Sequence, residues 1–308
     1  MLNHTVLVWV PTEPVAQALD GLAGVRVEVE APDGHELPAS AADVEFYVPP
    51  FFPGPDSVVA MAQMPRLKVV QTLTAGFDRV RPHVPAGAVL CNARGVHDAS
   101  TAEWVVGAVI AALREFPYFA TEQAGGRWSY RSTDSLAGKA VLIVGYGSIG
   151  RAVERRLSGF NVQIRRVARS ARDGVSPVSA LPELLPEADV VILLAPVTTE
   201  TVGMVDAAFL AKMKDGALLV NAARGVLVVT EDLVAEVMTG RLSAAMDVTD
   251  PEPLPPGHPL WALPNVFITP HVGASTPYSA MTARNFVREQ AERYVAGQPL
   301  ANVITGDY

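Results

Sequence analysis

An arginine, a glutamate and a histidine, far apart in the chain, each follow a short apolar run. Arg224 lies in VNAARG (220–225), Glu252 in MDVTDPEPLP (246–255), and His271 in ITPHVG (268–273). A guanidinium is a planar, permanently charged fork that matches a carboxylate. A histidine is a general acid and base at neutral pH, and a carboxylate beside it orients the ring and favours its charged form. Taken singly, Arg224 reads equally as a helix-cap or surface arginine, and Glu252 as a solvated carboxylate in a proline-rich loop. Ligands of open α/β sheets bind at the carboxyl ends of the strands, so three residues placed there can converge.

A second feature is AVLIVGYGSIGR (140–151), a buried strand, a GxGxxG turn and a helix start. Gly145 allows the tight turn, Gly147 allows a pyrophosphate close to the backbone, and Gly150 lets helix and strand pack closely. The helix start at Ser148, Ile149 and Gly150 presents free N–H groups and its positive dipole end to the phosphates. The context of strand before and amphipathic Ala152–Leu157 after is what a dinucleotide fingerprint demands. An acidic residue about 20 positions on takes the ribose hydroxyls in NAD sites. Here the chain reads VARSAR (167–172), with Arg169 standing 19 residues after Gly150 and no carboxylate before Asp173. Arg169, Ser170 and Arg172 suit a 2′-phosphate, which arginine grips by charge-assisted hydrogen bonds; a solvated basic strand end is the alternative. The expected coenzyme is NADP(H) in preference to NAD(H).

The elements that must position these residues follow the pattern of a parallel α/β architecture. Apolar, β-branched runs occur at 6–10, 25–29, 44–48, 67–73 and 89–91, and VRVEVE (25–30) alternates as an edge strand does. A helical pattern begins at STAE (100–103), read as a capping box with Ser100 as N-cap and Glu103 reaching back. The stretch 117–135 reads as an irregular surface excursion. Six more strands are expected at 140–144, 162–167, 190–194, 217–220, 244–248 and 266–269, the series a doubly wound nucleotide-binding sheet requires. The helical stretch 277–296 has no later strand to pair with and is placed against the first domain, which makes that domain discontinuous.

Composition narrows the class of protein. The 308 residues are 49% hydrophobic and 18% charged, enough for sizeable cores and unlike a disordered chain. With 24 basic against 32 acidic residues the net charge is −8, which argues against nucleic-acid or anionic-membrane partners. One cysteine, Cys91 in an apolar run, removes disulfide frameworks and cysteine metal sites, and no metal is expected. The first residues, MLNHTVLVWVPTEP, lack a basic region and meet Pro11 after about six apolar positions, so they read as a buried strand and not as a leader or span. The expectation is a reducing, cytoplasmic location.

In order and spacing, GYGSIG, NAARG, DVTDPEPLP and TPHVG resemble the signatures of the D-isomer-specific 2-hydroxyacid dehydrogenases, most of all the glyoxylate/hydroxypyruvate reductase and phosphoglycerate dehydrogenase branches. The resemblance runs from about Leu67 to about Gly273 and implies a Rossmann-type doubly wound parallel sheet inserted into a smaller, flavodoxin-like α/β substrate domain. The boundaries are expected at 1–98 and 275–308 for the substrate domain and 99–274 for the dinucleotide domain. It implies that Arg224 binds the keto acid's carboxylate and polarises its carbonyl, that His271 is the general acid, and that Glu252 is its partner. Ala75 and Gly76, in LTAGFD (73–78), would hold the substrate carboxylate by backbone N–H groups. Pro196, Ala222, Ala223, Asp247 and Gly273 would lie against the cofactor, Asp247 facing the nicotinamide amide.

Phosphite-oxidising relatives carry a lysine where Thr74 stands, and formate-oxidising relatives pair the histidine with an amide and not an acid such as Glu252, so neither activity is expected. The chain departs from the family at Val228-Val229-Thr230, where relatives usually have an acidic residue. Phe51 and Phe52 either line the substrate pocket or pack as an apolar turn. His4, His35, His83, His97 and His258 read as structural or solvent-exposed. The function implied is hydride transfer between NADP(H) and a small 2-keto or 2-hydroxy acid, by a homodimer. A dinucleotide-sensing, non-catalytic interaction protein on the same fold is the alternative.

Overall fold

The structure is a computed structural model that describes residues 4–306; the outermost residues of the two ends expected for the substrate domain, 1–3 and 307–308, lie outside the described residues. Two compact units divide the chain. One takes the chain up to His97 together with everything from Pro277 on, and the other is Asp98–Thr276.

In the first unit β1 (Val6–Val10), β2 (Val25–Val29), β3 (Val44–Tyr47), β4 (Val69–Gln71) and β5 (Val89–Cys91) form a parallel sheet in the order β2-β1-β3-β4-β5, the flavodoxin-like order. Alternate residues of β1 feed two cores. Val6, Val8 and Val10 pack with Ala283, Val287 and Ala291 of the helix Pro277–Val295, whereas Leu7 and Trp9 pack with Met61 and Met64. Both faces are covered, which is why β1 reads as an unbroken apolar run. The alternating strand β2 is at the edge, with Arg26 exposed. Below the sheet surface, Gln290 is fully buried and donates to Gln71 Oε1 (2.8 Å) and to the Ala301 carbonyl (2.9 Å). Cys91 is free and buried, and burial pushes its thiol up to about 11.

The second unit carries β6 (Ala140–Val144), β7 (Gln163–Ala168), β8 (Ser176–Pro177), β9 (Val190–Leu193), β10 (Leu218–Asn221), β11 (Ser243–Met246) and β12 (Val266–Ile268). They pair in parallel in the order β12-β11-β10-β9-β6-β7-β8, the doubly wound Rossmann arrangement, with its switch point between β6 and β9. Leu142 and Val144 enter one core, and Val141 and Ile143 the other, which the helix Asp98–Leu113 covers with Ala102, Val105 and Val109. β8 is one strand beyond the six expected. Two residues, one of them proline, carry no periodic signal.

Two local expectations are corrected. The first long helix starts at Asp98, not after Ser100. Ser100 lies inside it, buried, with its hydroxyl 2.7 Å from that of Thr276, and Glu103 is exposed on the helix surface. The hydroxyl found a partner 176 residues away, and acidic Asp98 occupies the first turn, where negative charge suits the helix dipole. The excursion is also more regular than expected. Glu115, at φ 53°, ends the first helix and a second one spans Phe116–Ala124 with Pro117 in its first turn. The arm that follows is tied back by Arg127 to Glu122 and Arg131 to Glu115, with the Arg131 guanidinium 3.7 Å from the centre of the Tyr118 ring. These ties leave Trp128 98% and Tyr130 91% exposed.

Candidate active site

The motif residues of the second unit stand where the parallel order places ligand sites, just past the carboxyl ends of β6, β7, β9, β10, β11 and β12. The glycine turn after β6 is built for close approach. Gly145 adopts φ 103°, and a methyl group on it would lie 2.3 Å from the Ala195 nitrogen, so only glycine fits. Its N–H and that of Tyr146 both donate to the Val167 carbonyl, at 2.9 and 3.1 Å, which ties the turn to β7. A methyl group on Gly147 would meet nothing within 4 Å, so the space before the helix Ser148–Leu157 is open to a ligand. That open cradle and the helix N-terminus fit a dinucleotide pyrophosphate. Ser148 donates its hydroxyl to Asp98 (2.9 Å), and Ile149 is half-buried against the core.

Tyr146 is held from three sides. Its hydroxyl donates to Glu154, which is also paired with Arg166 (Nε to Oε2, 2.8 Å). The Arg166 hydrogen bonds hold the Glu154 carboxyl below its ordinary range, while burial and the Glu154 contact push the Tyr146 hydroxyl up. Arg172 donates to the Tyr146 carbonyl and lies 5.9 Å from the centre of its ring. All three basic-end residues are exposed, but Arg172 is turned onto the glycine turn, whereas Arg169 and Ser170 stand at the end of β7. On the loop that follows β9, the Thr198, Glu200 and Thr199 hydrogen bonds hold the Glu200 carboxyl below its ordinary range, and the Arg169 charge adds to this. Pro196 opens that loop, and its carbonyl accepts from the Thr201 hydroxyl (2.7 Å).

The reactive set is organised from β10, β11 and β12. Asn221, fully buried at the end of β10, donates to the Arg224 carbonyl (2.9 Å) and accepts from Ala223 N (3.0 Å), coiling the segment Asn221–Arg224 on itself. Ala222 and Ala223 lie inside that coil, and Arg224 Nη1 donates to the Ala223 carbonyl (2.7 Å). Gly225 meets the loop after β11: a methyl group there would lie 1.9 Å from the Thr249 carbonyl oxygen. The same loop carries Glu252, with the Thr249 hydroxyl on the Pro251 carbonyl (2.9 Å) and the Thr230 hydroxyl on the Asp250 carbonyl (2.6 Å). Glu252 Oε1 is 2.6 Å from His271 Nδ1, so the two residues 19 positions apart form a half-exposed pair.

His271 has φ 54°, a left-handed conformation that is uncommon for residues other than glycine and recurs at functional sites. Its N–H donates to the Asp247 carbonyl (2.7 Å). The buried Asp247 carboxylate accepts from the Thr269 hydroxyl (2.6 Å), Val272 N (2.8 Å) and Gly273 N (2.8 Å). Asp247 thus clamps both sides of the histidine. Asn221, Thr249 and Thr269 went unnoticed as site residues in the sequence. Their signal was a polar side chain at the end of an apolar strand.

The smaller unit has its own candidate, the loop after β4. The Leu73 carbonyl accepts from His97 Nε2 (2.6 Å), that of Thr74 from the Thr72 hydroxyl (2.7 Å), that of Ala75 from Asn92 Nδ2 (2.7 Å), and that of Gly76 from the Thr74 hydroxyl (2.7 Å). Phe51 packs edge-on against both His97 and Phe52, and Phe52 is 53% exposed. Of the other histidines, His4 pairs with Glu45 (2.7 Å), His35 with Glu30 and Asp33, and His258 accepts from Leu260 N. Among the described residues no group of three His, Cys, Asp or Glu is placed to hold a metal ion, and no helix is long and apolar enough to cross a membrane.

A doubly wound sheet with a glycine turn at its switch point and an acid–histidine pair at its strand ends defines a dinucleotide-dependent oxidoreductase. Residues 106–273 match the family model for the D-isomer specific 2-hydroxyacid dehydrogenase, NAD binding domain. A glyoxylate reductase of Thermofilum pendens is 34% identical over 250 residues, 76% of this chain and 72% of that one. A D-3-phosphoglycerate dehydrogenase of Archaeoglobus fulgidus is 30% identical over 95% of this chain and 58% of its own length. Among solved structures, an NADPH-dependent glyoxylate/hydroxypyruvate reductase of Sinorhizobium meliloti, in complex with NADP and sulfate, superimposes with a TM-score of 0.82 at 29% identity, covering 98% of each chain. The chain belongs to the D-isomer-specific 2-hydroxyacid dehydrogenase family and is an NAD(P)-dependent enzyme acting on CH–OH donors.

Proposed function

We propose that this dehydrogenase reduces a small 2-keto acid of the glyoxylate or hydroxypyruvate class to its 2-hydroxy acid, with NADP(H) preferred over NAD(H). The observation that carries the reading is the 2.6 Å contact between Glu252 and His271 Nδ1. It orients the ring and leaves the opposite ring nitrogen as the proton donor to the substrate. In the second unit Arg224 takes the substrate carboxylate and draws electron density from the carbonyl, and in the first unit the N–H groups of Ala75 and Gly76 are carboxylate donors. When bound, the nicotinamide supplies the hydride. Gly145, Gly147, Ser148, Ile149 and Gly150 hold the pyrophosphate, Pro196, Ala222, Ala223, Asp247 and Gly273 flank the nicotinamide half, and Arg169 with Ser170 takes the 2′-phosphate, supported by Arg172 from the glycine turn. The absence of a carboxylate between Val167 and Arg172 is what favours the phosphorylated coenzyme.

The ordered arm that displays Trp128 and Tyr130 supports a homodimer in which a second copy covers these rings, and buried, free Cys91 supports a reducing, cytoplasmic location. The decisive experiment follows NADPH oxidation with a panel of 2-keto acids. The expected result is turnover of glyoxylate or hydroxypyruvate, lowered about 10²- to 10⁴-fold in kcat by His271→Ala. Wild-type turnover in that variant removes His271 from the reaction, and no turnover with any keto acid removes the reading.

A further inference from the structure

The loop after β4 has every carbonyl from Leu73 to Gly76 occupied by a donor from its own unit. In a trans peptide the C=O and the N–H of the next residue point in opposite directions. Tying the Thr74 carbonyl to Thr72 and to Ala93 N (2.9 Å) therefore turns the Ala75 N–H outward, and tying the Ala75 carbonyl to Asn92 turns out the Gly76 N–H. Neither N–H donates to a partner among the described residues. Adjacent outward N–H groups form a concavity for an anion.

We propose that Asn92, assisted by His97, is a positioning residue that fixes the Gly76 N–H beside that of Ala75 and so completes the cradle for the substrate carboxylate. Asn92 is 6% exposed, and its amide has one orientation available: Oδ1 accepts from Arg94 N (3.2 Å), which leaves Nδ2 for the Ala75 carbonyl (2.7 Å). His97 is 4% exposed and wedged against the Phe51 ring, 5.6 Å between centres, with Nε2 on the Leu73 carbonyl. Asn92 holds the peptide that carries the Gly76 N–H, the Thr72 hydroxyl and Ala93 N hold the one that carries the Ala75 N–H, and His97 holds the first peptide of the loop, so the cradle exists before the substrate arrives. Neither side chain touches the anion itself. This inference rests on the keto-acid reading above.

The test uses Asn92→Asp, which keeps shape and the acceptor for Arg94 N but sets an oxygen against the Ala75 carbonyl, so that the peptide turns. KM for glyoxylate is expected to rise about 10- to 100-fold, with kcat changed less and the Kd for NADPH unchanged. Oxamate, titrated into the NADPH-loaded protein as a carboxylate probe, is expected to bind correspondingly more weakly. His97→Gln, which retains an N–H near the Nε2 position, is expected to stay close to wild type, and His97→Leu to follow Asn92→Asp; this pair decides the matter if Asn92→Asp fails to fold. A lowered Tm with unchanged KM and oxamate affinity assigns both residues a purely structural role and overturns the proposal. Wild-type protein that neither reduces a keto acid nor binds oxamate overturns the functional reading and this inference with it.

Discussion

Gly225→Ala is a one-methyl change beside the reactive pair and not in it. The added carbon would lie 1.9 Å from the Thr249 carbonyl oxygen, 2.1 Å from its carbon and 2.7 Å from Asp250 N, all of them backbone atoms that cannot rotate away. Ordinary contact begins near 3.4 Å, so one of the two loops must retreat by roughly 1.5 Å in a packed interior. Whichever loop moves, the Glu252 loop is displaced relative to Arg224. Overpacking of this kind costs about 1–3 kcal/mol, a Tm lowered by several degrees for a unit of this size. The effect on turnover is larger in proportion, because a misplacement of about 1 Å costs on the order of 10²-fold. The assay is steady-state NADPH oxidation with the best keto acid from the panel, alongside thermal unfolding and NADPH titration. We expect kcat/KM reduced about 10²-fold or more, a modestly lower Tm and coenzyme affinity within a few-fold of wild type. A folded Gly225→Ala protein with wild-type kcat/KM would refute the argument that this contact sets the geometry of the site.

Arg169→Ala is expected to raise KM for NADPH by about 10- to 100-fold and to leave KM for NADH unchanged, measured by comparing both coenzymes. Glu45→Ala removes a buried carboxylate that serves His4, Arg66 and Tyr294 at once, and is expected to lower stability by about 1–3 kcal/mol in a urea titration without a change in kcat. Cys91, with its thiol pushed up to about 11 by burial, is expected to resist a thiol-specific disulfide reagent at pH 8 and to react once in denaturant. The folded thiol holds its proton above the unfolded value of 9.0, so its contribution to stability is full below pH 9 and is lost as pH rises toward 11.

Where a residue's surroundings are set by its near neighbours, the sequence was legible. Val6–Val10 and Ala140–Val144 could only be buried strands, and a glycine turn placed between a strand and a helix has few alternatives. Where a polar group's partner is remote, local pattern misled: Ser100 looks like an N-cap until Thr276 is beside it. Asn92 and Asn221 gave little away for the same reason. Their importance lies in which backbone groups they bond, and those belong to loops that meet only in the folded unit. Arg172 shows the limit within one motif, since nothing in RSAR (169–172) says which of two exposed arginines turns back onto Tyr146.

The two-residue strand β8 has a consequence for life in a crowded solution. A parallel sheet ends in unpaired N–H and C=O groups that invite another chain to add a strand. At this margin the sheet tapers to Ser176 and Pro177, and proline has no N–H to offer. The other sheet ends on β2, whose charged Arg26 and Glu28 alternate with valines. Lengthening β8 and replacing Pro177 would make a template for aggregation without touching the chemistry, so a residue remote from the reaction helps to keep the enzyme dispersed.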